Sequence, residues 1–327
     1  MSHFRRNERD GMALLTILLL VAVMAAVAVL ILDDVRFSVR RSSNIEFQAE
    51  LQGQAAIAEA AARQMLSQRV ASGSASAIPP KGLSLPLDTD IGRVTTSVHD
   101  GQTCFNLNSL VMGQGEDLSA RPEAADQFVE LGIALGIARP LMINLASSLT
   151  DWMDADQTVI ASGGAEDAAY ATGRTPYRTA GLVLSDVSEL RAIKGVTPRL
   201  YDVLFPYVCA LPEAQPTRLN INALAADKAP LLVAISHGQL SLGNARAAIA
   251  ARPPSGWSSA DAFWASNALN TAVASDEMRR QTVISSRYFD LKINVEAGDG
   301  RAVRTALIHV SPEGEARTLF RRWTAAE

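Results

Sequence analysis

Residues 11–32 read GMALLTILLLVAVMAAVAVLIL, an uncharged stretch that follows the charged tail MSHFRRNERD and stops at Asp33 and Asp34. At about 1.5 Å per helical residue, roughly 20 apolar residues cross the ~30 Å hydrocarbon core of a bilayer, whereas a cleavable secretory signal needs an apolar region of only about 7–15 residues. The length predicts a single-pass anchor. The competing reading is a signal peptide cut at the small-x-small site Ala26-Val27-Ala28, which leaves Val29 to Leu32 as apolar residues beyond the cut. Arg5, Arg6 and Arg9 on one side face Arg36, Arg40 and Arg41 on the other, so the positive-inside rule gives little orientation.

Working outward, Asp33 to about Val70 contains no proline and a single glycine, Gly53, and is rich in alanine, glutamine and glutamate. That composition predicts a helix continuing the apolar segment to roughly 55–60 residues, about 90 Å long. It ends in SGSASAIPPKG, where glycine and proline break any period. Residues 92–110, GRVTTSVHDGQTCFNLNSL, alternate small apolar and polar residues around Asp100-Gly101, which predicts a two-residue hairpin turn there. Near the C-terminus, Tyr288 to Val295 alternates, Gly298-Asp299-Gly300 turns, Ala302 to Val310 alternates, and a third run spans Thr318 to Trp323. Between these strand regions, AADQFVELGIALGI (124–137) and ARPLMINLASSLTDWM (138–153) carry helical periodicity. The expected fold is α+β: a long N-terminal helix packed on a small antiparallel sheet, with a large all-α domain inserted between its strands.

The chain has 327 residues, 48% hydrophobic and 20% charged, which is a folding rather than a disordered composition and fits about two domains. A formal charge of −4, from 30 basic and 34 acidic residues, disfavours general nucleic-acid binding. Two segments of the insertion, 184–208 and 219–264, read as helix-hairpin-helix-like units with turns at Ile193-Lys194-Gly195-Val196 and Ser236-His237-Gly238-Gln239. Neither turn has the Gly-x-Gly pair that phosphate-binding hairpins use, so a compact helical packing unit is the simpler reading. The opposing hypothesis is a membrane-anchored DNA receptor. The four histidines, His3, His99, His237 and His309, lack metal-ligand spacing, and no nucleophile elbow or phosphate loop is present, which leaves catalysis with little support.

The chemistry concentrates in DWMDADQTVIASGGAEDAAY (151–170), where Asp151, Asp154 and Asp156 are followed by Glu166 and Asp167. Such carboxylates repel one another unless water screens them or a hard cation gathers them, and calcium tolerates irregular coordination by 6–8 oxygens. Helix caps and turns are the alternative employment, and a tethered metal hydrolase is the catalytic one. Cys104 and Cys209 are either a single disulfide that ties the sheet to the insertion or two separate buried thiols. Arg317, Arg321 and Arg322 read as a solvated strand face.

The basic leader that ends in Gly11, followed at once by an apolar helix, resembles a type IV prepilin signal. That resemblance implies cleavage after Gly11 by a membrane-embedded prepilin peptidase and methylation of the new N-terminal Met12. The fifth mature residue, Thr16, stands where most pilins carry a glutamate that neutralises the N-terminal amine of the subunit above. A subunit with no neighbour above it has no such amine to meet.

The runs Asp151-Trp152-Met153-Asp154-Ala155-Asp156, Gly164-Ala165-Glu166-Asp167-Ala168-Ala169-Tyr170, Pro176-Tyr177 and Ser188-Glu189-Leu190-Arg191 are similar to the insertion of the type II secretion minor pseudopilin K. Asn106-Leu107-Asn108-Ser109-Leu110 and Leu219-Asn220-Ile221-Asn222-Ala223 also resemble that family, whereas Thr158 and Val159 depart from its proline-containing acidic loop. The resemblance implies a non-enzymatic protein at the tip of the periplasmic pseudopilus that helps start its assembly, held in the inner membrane with its body in the periplasm. It implies partners in the minor pseudopilins of the I and J classes and the major pseudopilin fibre, no nucleic acid, and calcium bound by Asp154, Asp156, Glu166 and Asp167, with Asp151 as a further ligand or a helix cap. The expected segments are a leader over 1–11, a membrane and assembly helix over 12–32 and its continuation over 33–72. A pilin-like domain follows in two parts, 73–119 and 286–327, around an insertion over 120–285.

Overall fold

A computed structural model describes residues 8–72, 78–172, 175–269 and 274–324; the first seven leader residues and Gly73, where the long helix was expected to break, lie outside these. Helix α1 (Glu8–Ala71) runs without a break through Gly11, Met12 and the apolar segment. Its apolar part lies open: Met12, Leu19, Leu30, Phe37 and Ile45 are all more than half exposed. Farther along, Leu51, Ala55, Ala58, Ala62 and Leu66 are buried, a stripe at helical spacing that is the helix's contribution to the core.

That stripe packs on a five-stranded antiparallel sheet of order β1-β2-β9-β10-β11. The strands are β1 (Leu83–Thr89), β2 (Gly92–Asp100), β9 (Tyr288–Ala297), β10 (Gly300–Val310) and β11 (Ala316–Thr324), so the three strands expected near the C-terminus all form. Alternation places Val94, Val98, Phe289, Leu291, Ile293 and Val295 against the helix. Pro86 lies in β1, an edge strand, where a missing N–H costs no ladder bond on the open side.

The hairpin predicted around Asp100-Gly101 forms elsewhere. The turn lies between Thr89 and Gly92, which pair across β1 and β2, while Asp100 closes β2 opposite Phe289 of β9. Beyond Asp100 the chain leaves the sheet, and Gly101 N–H donates to the Tyr288 carbonyl (2.8 Å), holding together the two roots of the insertion. The insertion therefore spans 101–287, earlier and longer than the expected 120–285. Phe105, Leu107, Leu110, Val111 and Leu118, assigned from sequence to the pilin-like part, are buried in the insertion's own core.

Within the insertion, α2 (Pro122–Ala134), α3 (Arg139–Met153), α4 (Asp167–Tyr170), α5 (Pro198–Leu204), α6 (Ala229–Ile235), α7 (Leu242–Ala250), α8 (Ala260–Trp264) and α9 (Asp276–Gln281) pack around one core that includes Phe128, Leu145, Leu204, Leu231 and Phe263. Among the described residues, three two-stranded ladders accompany them: β3 (Phe105–Asn106) with β6 (Val208–Cys209), β4 (Val111–Gln114) with β5 (Asp117–Ala120), and β7 (Leu219–Asn220) with β8 (Thr282–Val283). The insertion is thus mainly helical rather than wholly so. Both hairpin segments turn as expected, at Gly195 and at His237-Gly238.

A buried polar node anchors the insertion. Asp100 accepts from Ser286 Oγ (2.6 Å), Asn220 Nδ2 (2.8 Å) and Gln102 N–H (2.8 Å). Cys104 and Cys209 form a disulfide, and because both belong to the insertion it closes the insertion's root rather than joining it to the sheet. Cross-linking a loop of this length, 105 residues of separation, contributes about 4–5 kcal/mol in the chain-entropy account.

The order of contacts along α1 sets the long axis. Leu51 and Ala55 pack near Val94 and Val295, whereas Ala62 and Leu66 pack near Val98 and Phe289, beside the insertion's root. The insertion consequently leaves the sheet at the end where α1 finishes, away from the apolar segment.

Candidate functional site

Helix α3 delivers the first part of the site. Asp151 lies in its last turn and Asp154 is its C-cap, so the i, i+3 spacing turns both carboxylates to one side. This is the negative end of the helix dipole, which disfavours carboxylates. The loop that follows folds back so that Ile160 N–H donates to Asp151 (3.2 Å) and Gly164 N–H to the Ile160 carbonyl (2.9 Å). Gly164 sits so close that a Cβ there would lie 2.1 Å from Asp151 Oδ2, which only glycine avoids. Glu166, at the N-cap of α4, then enters the same space without capping its own helix.

One carboxylate oxygen from each of Asp151, Asp154 and Glu166 lies within 4.8 Å of the others, and all three residues are buried. Among the described residues, Asp154 Oδ1 and both Glu166 oxygens have no hydrogen-bond donor. Burial, reinforced by the charges of Asp156 and Asp151, pushes the Asp154 carboxyl up to about 7. Burial and then the charges of Asp151 and Asp154 do the same to Glu166, also to about 7. Burial likewise raises Asp151, partly offset by the Ile160 and Ala165 amides. Among the described residues, no protein cation stands among these causes. Buried acceptors without hydrogen-bond donors, held together by the fold against their mutual repulsion at a helix C-terminus, form a ligand set suited to a hard, oxygen-loving cation.

Asp156 and Asp167 stand apart from this trio. Asp156 is exposed at the rim, where it accepts from Thr158 N–H (2.6 Å). Asp167 Oδ1 accepts from Thr179 N–H and Thr179 Oγ1, both at 2.9 Å, while its Oδ2 faces Arg178 at 3.8 Å. Those bonds, chiefly the Thr179 amide, hold its carboxyl below the usual range. An aromatic group of Trp152, Tyr170 and Tyr177 packs behind the site, with ring centroids 5.2–6.0 Å apart. Sequence reasoning passed over Thr179, whose partner is twelve residues away with no local signal.

The terminal arginines are not simply solvated. Arg321 and Arg304 both pair with the buried carboxylate of Glu59 on α1, at 2.9 and 2.8 Å, and Arg322 pairs with Asp186 of the insertion at 2.7 Å. Only Arg317, paired with Glu315, fits the exposed-face expectation. Near the N-terminus, Thr16 Oγ1 donates to the Ala13 carbonyl of its own helix (2.9 Å).

Two family profiles, both described as type II secretion system (T2SS), protein K, match residues 103–213 and 219–283 and together cover just over half of the chain. Full-length relatives agree: type II secretion system protein K of Pectobacterium carotovorum subsp. carotovorum is 32% identical over 94% of both chains. This chain belongs to the type II secretion system protein K family. The protein K of Aeromonas hydrophila is also 32% identical, over 97% of each chain. Among solved structures, a chain of the GspK-GspI-GspJ complex from the enterotoxigenic Escherichia coli type 2 secretion system superposes with a TM-score of 0.69. It is 26% identical and covers 86% of this chain and 100% of that one. The protein is therefore a minor pseudopilin of the K class, with the long helix, sheet and helical insertion that the family shares.

Proposed function

We propose that this protein K caps the periplasmic pseudopilus and helps start its assembly, acting as a structural component without catalysis. The observation that carries this reading is the placement of the insertion. It leaves the sheet at the end opposite the apolar segment of α1, where its bulk obstructs a further subunit, while the exposed part of α1 stays open to neighbouring helices and to the membrane. Thr16 in place of a glutamate fits a subunit with no N-terminal amine above it to neutralise. In this reading the inner membrane holds the apolar segment, prepilin peptidase cuts after Gly11, Met12 is methylated, and the body lies in the periplasm, where the Cys104–Cys209 disulfide persists.

The partners proposed for the body are the I and J minor pseudopilins, by kinship with the complex of the enterotoxigenic relative, and the major pseudopilin fibre below them. Calcium is the proposed ligand of Asp151, Asp154 and Glu166, with Asp156 at the rim. Its chemistry there is charge neutralisation and fixation of the loop, which the unpaired oxygens of Asp154 and Glu166 favour. Co-expression of the full-length chain with its host's I and J proteins tests the assignment. A stoichiometric complex that survives size-exclusion chromatography in detergent is the expected result, and separate elution of all three contradicts it.

A further inference from the structure

The loop around the carboxylate trio is closed by bonds that no ion supplies. Thr179 binds the Asp167 carboxylate through both its amide and its hydroxyl, and the next two amides, Ala180 N–H and Gly181 N–H, donate to the Trp152 carbonyl at 3.1 Å each. Trp152 lies between Asp151 and Asp154 in sequence, so this returning strand of chain is fixed to the helix end that carries the site. Tyr177 adds a third tie, donating to the Ala192 carbonyl (2.7 Å). At the other side, Asp167 begins α4 directly after Glu166, so its attachment to Thr179 also fixes where Glu166 points.

The two neighbours differ in what they leave open. Both Glu166 oxygens are buried without a donor, whereas Asp167 Oδ1 is saturated by two donors and Oδ2 faces a guanidinium. Asp167 also lies outside the group whose oxygens come within 4.8 Å of one another, so ligation would require its carboxylate to turn away from Thr179. Resting on the cation reading above, we propose that Asp167 is a positioning residue, a latch that closes the loop through Thr179 and aims Glu166, and that it does not ligate the ion. The cation site is thereby built before the ion arrives.

A ligand and a latch need different things from the same side chain. A ligand needs the negative charge; the latch needs an acceptor oxygen, which Asp167→Asn keeps and Asp167→Ala removes. Calorimetric titration of the full-length chain in detergent with Ca²⁺, after chelator treatment, separates the two roles. The expected results are loss of binding in Asp154→Asn, affinity within about threefold of the parent in Asp167→Asn, and weakening of about tenfold in Asp167→Ala. Thr179→Val, which removes only the hydroxyl donor, weakens binding by less, and it adds nothing in the Asp167→Ala background. An Asp167→Asn protein as impaired as Asp154→Asn overturns the latch and makes Asp167 a ligand. Hydrogen exchange in chelator, measured at the amides of Thr179 to Gly181, reads the latch without any ion. Protection in the parent and in Asp167→Asn but not in Asp167→Ala is expected, and equal, rapid exchange in all three refutes the proposal. Absence of Ca²⁺ binding by the parent with that protection intact defeats the calcium reading and leaves the loop closure standing.

Discussion

Glu59 and the Asp154–Glu166 pair are buried carboxylates in one molecule with opposite fates. At the helix–sheet joint, burial opposes ionisation of Glu59. Hydrogen bonds from Arg321 and Thr318 and the charges of Arg304 and Arg321 outweigh it, so the carboxyl stays below its usual range. In the insertion, Asp154 and Glu166 meet burial with only acids beside them among the described residues, and both rise to about 7. The first region carries its own cations and is complete. In the proposed reading the second is completed by a cation from solution, so the two should respond to different perturbations.

The largest expected effect belongs to the first region. Glu59→Ala strands Arg304 in the joint and should destabilise the chain by about 3–5 kcal/mol, measured by denaturant unfolding, with no dependence on calcium. A calcium-dependent loss would merge the two regions and break the comparison. The second region should answer to the ion: at a free Ca²⁺ concentration of about 100 times Kd, stability rises by about 2.7 kcal/mol, and Asp154→Ala removes the rise.

Acidity sharpens the contrast. Between about pH 4.5 and 7 the folded chain holds protons on Asp154 and Glu166 that the unfolded chain has released, so in chelator this pair's contribution to stability falls as pH rises across that window. Asp154→Asn combined with Glu166→Gln should flatten that slope and stabilise the chelated protein at pH 8 by on the order of 1 kcal/mol. Calcium needs the deprotonated acids, so its increment grows over the same window. Glu59, with its lowered value, behaves oppositely: its contribution is present above the unfolded pKa and is lost only as pH falls through the folded one. The smallest effect is expected at Arg322→Ala. It removes the part-exposed bridge to Asp186 and should cost about 1 kcal/mol or less, read as a small shift in Tm that fades in high salt.

Much of this architecture is legible in the residues because its signals are periodic. The uncharged run after Gly11, the alternation of YFDLKINV and the helical spacing of 124–153 each act over several turns or pleats, and all became the predicted elements. The failures share a different origin. Asp100-Gly101 has hairpin chemistry, yet tertiary contacts from Asn220 and Ser286, 120 and 186 residues away, use Asp100 as an anchor instead. The true turn follows LSLPLDT, whose proline conceals an edge strand. Phe105, Leu107 and Leu110 sit on a two-residue strand and a short 3-10 turn, too brief for any period, so the start of the insertion was placed too late.

The acidic cluster divides along the same line. The composition of 151–167 reveals that carboxylates gather, but only the fold separates the buried trio from Asp156 and from Asp167, which Thr179 occupies. Glu59 and its arginines, 245 and 262 positions apart in the chain, have no local signature at all.

The account of this chain as a processed pseudopilin is tested most directly by mass spectrometry of the N-terminal peptide and intact chain, purified from membranes of the native host. A chain that begins at Met12 with a methylated amine is the predicted result, because the exposed apolar half of α1 then enters a fibre as a mature subunit. A chain that begins at Val29, or an unprocessed chain that begins at Met1, would contradict it.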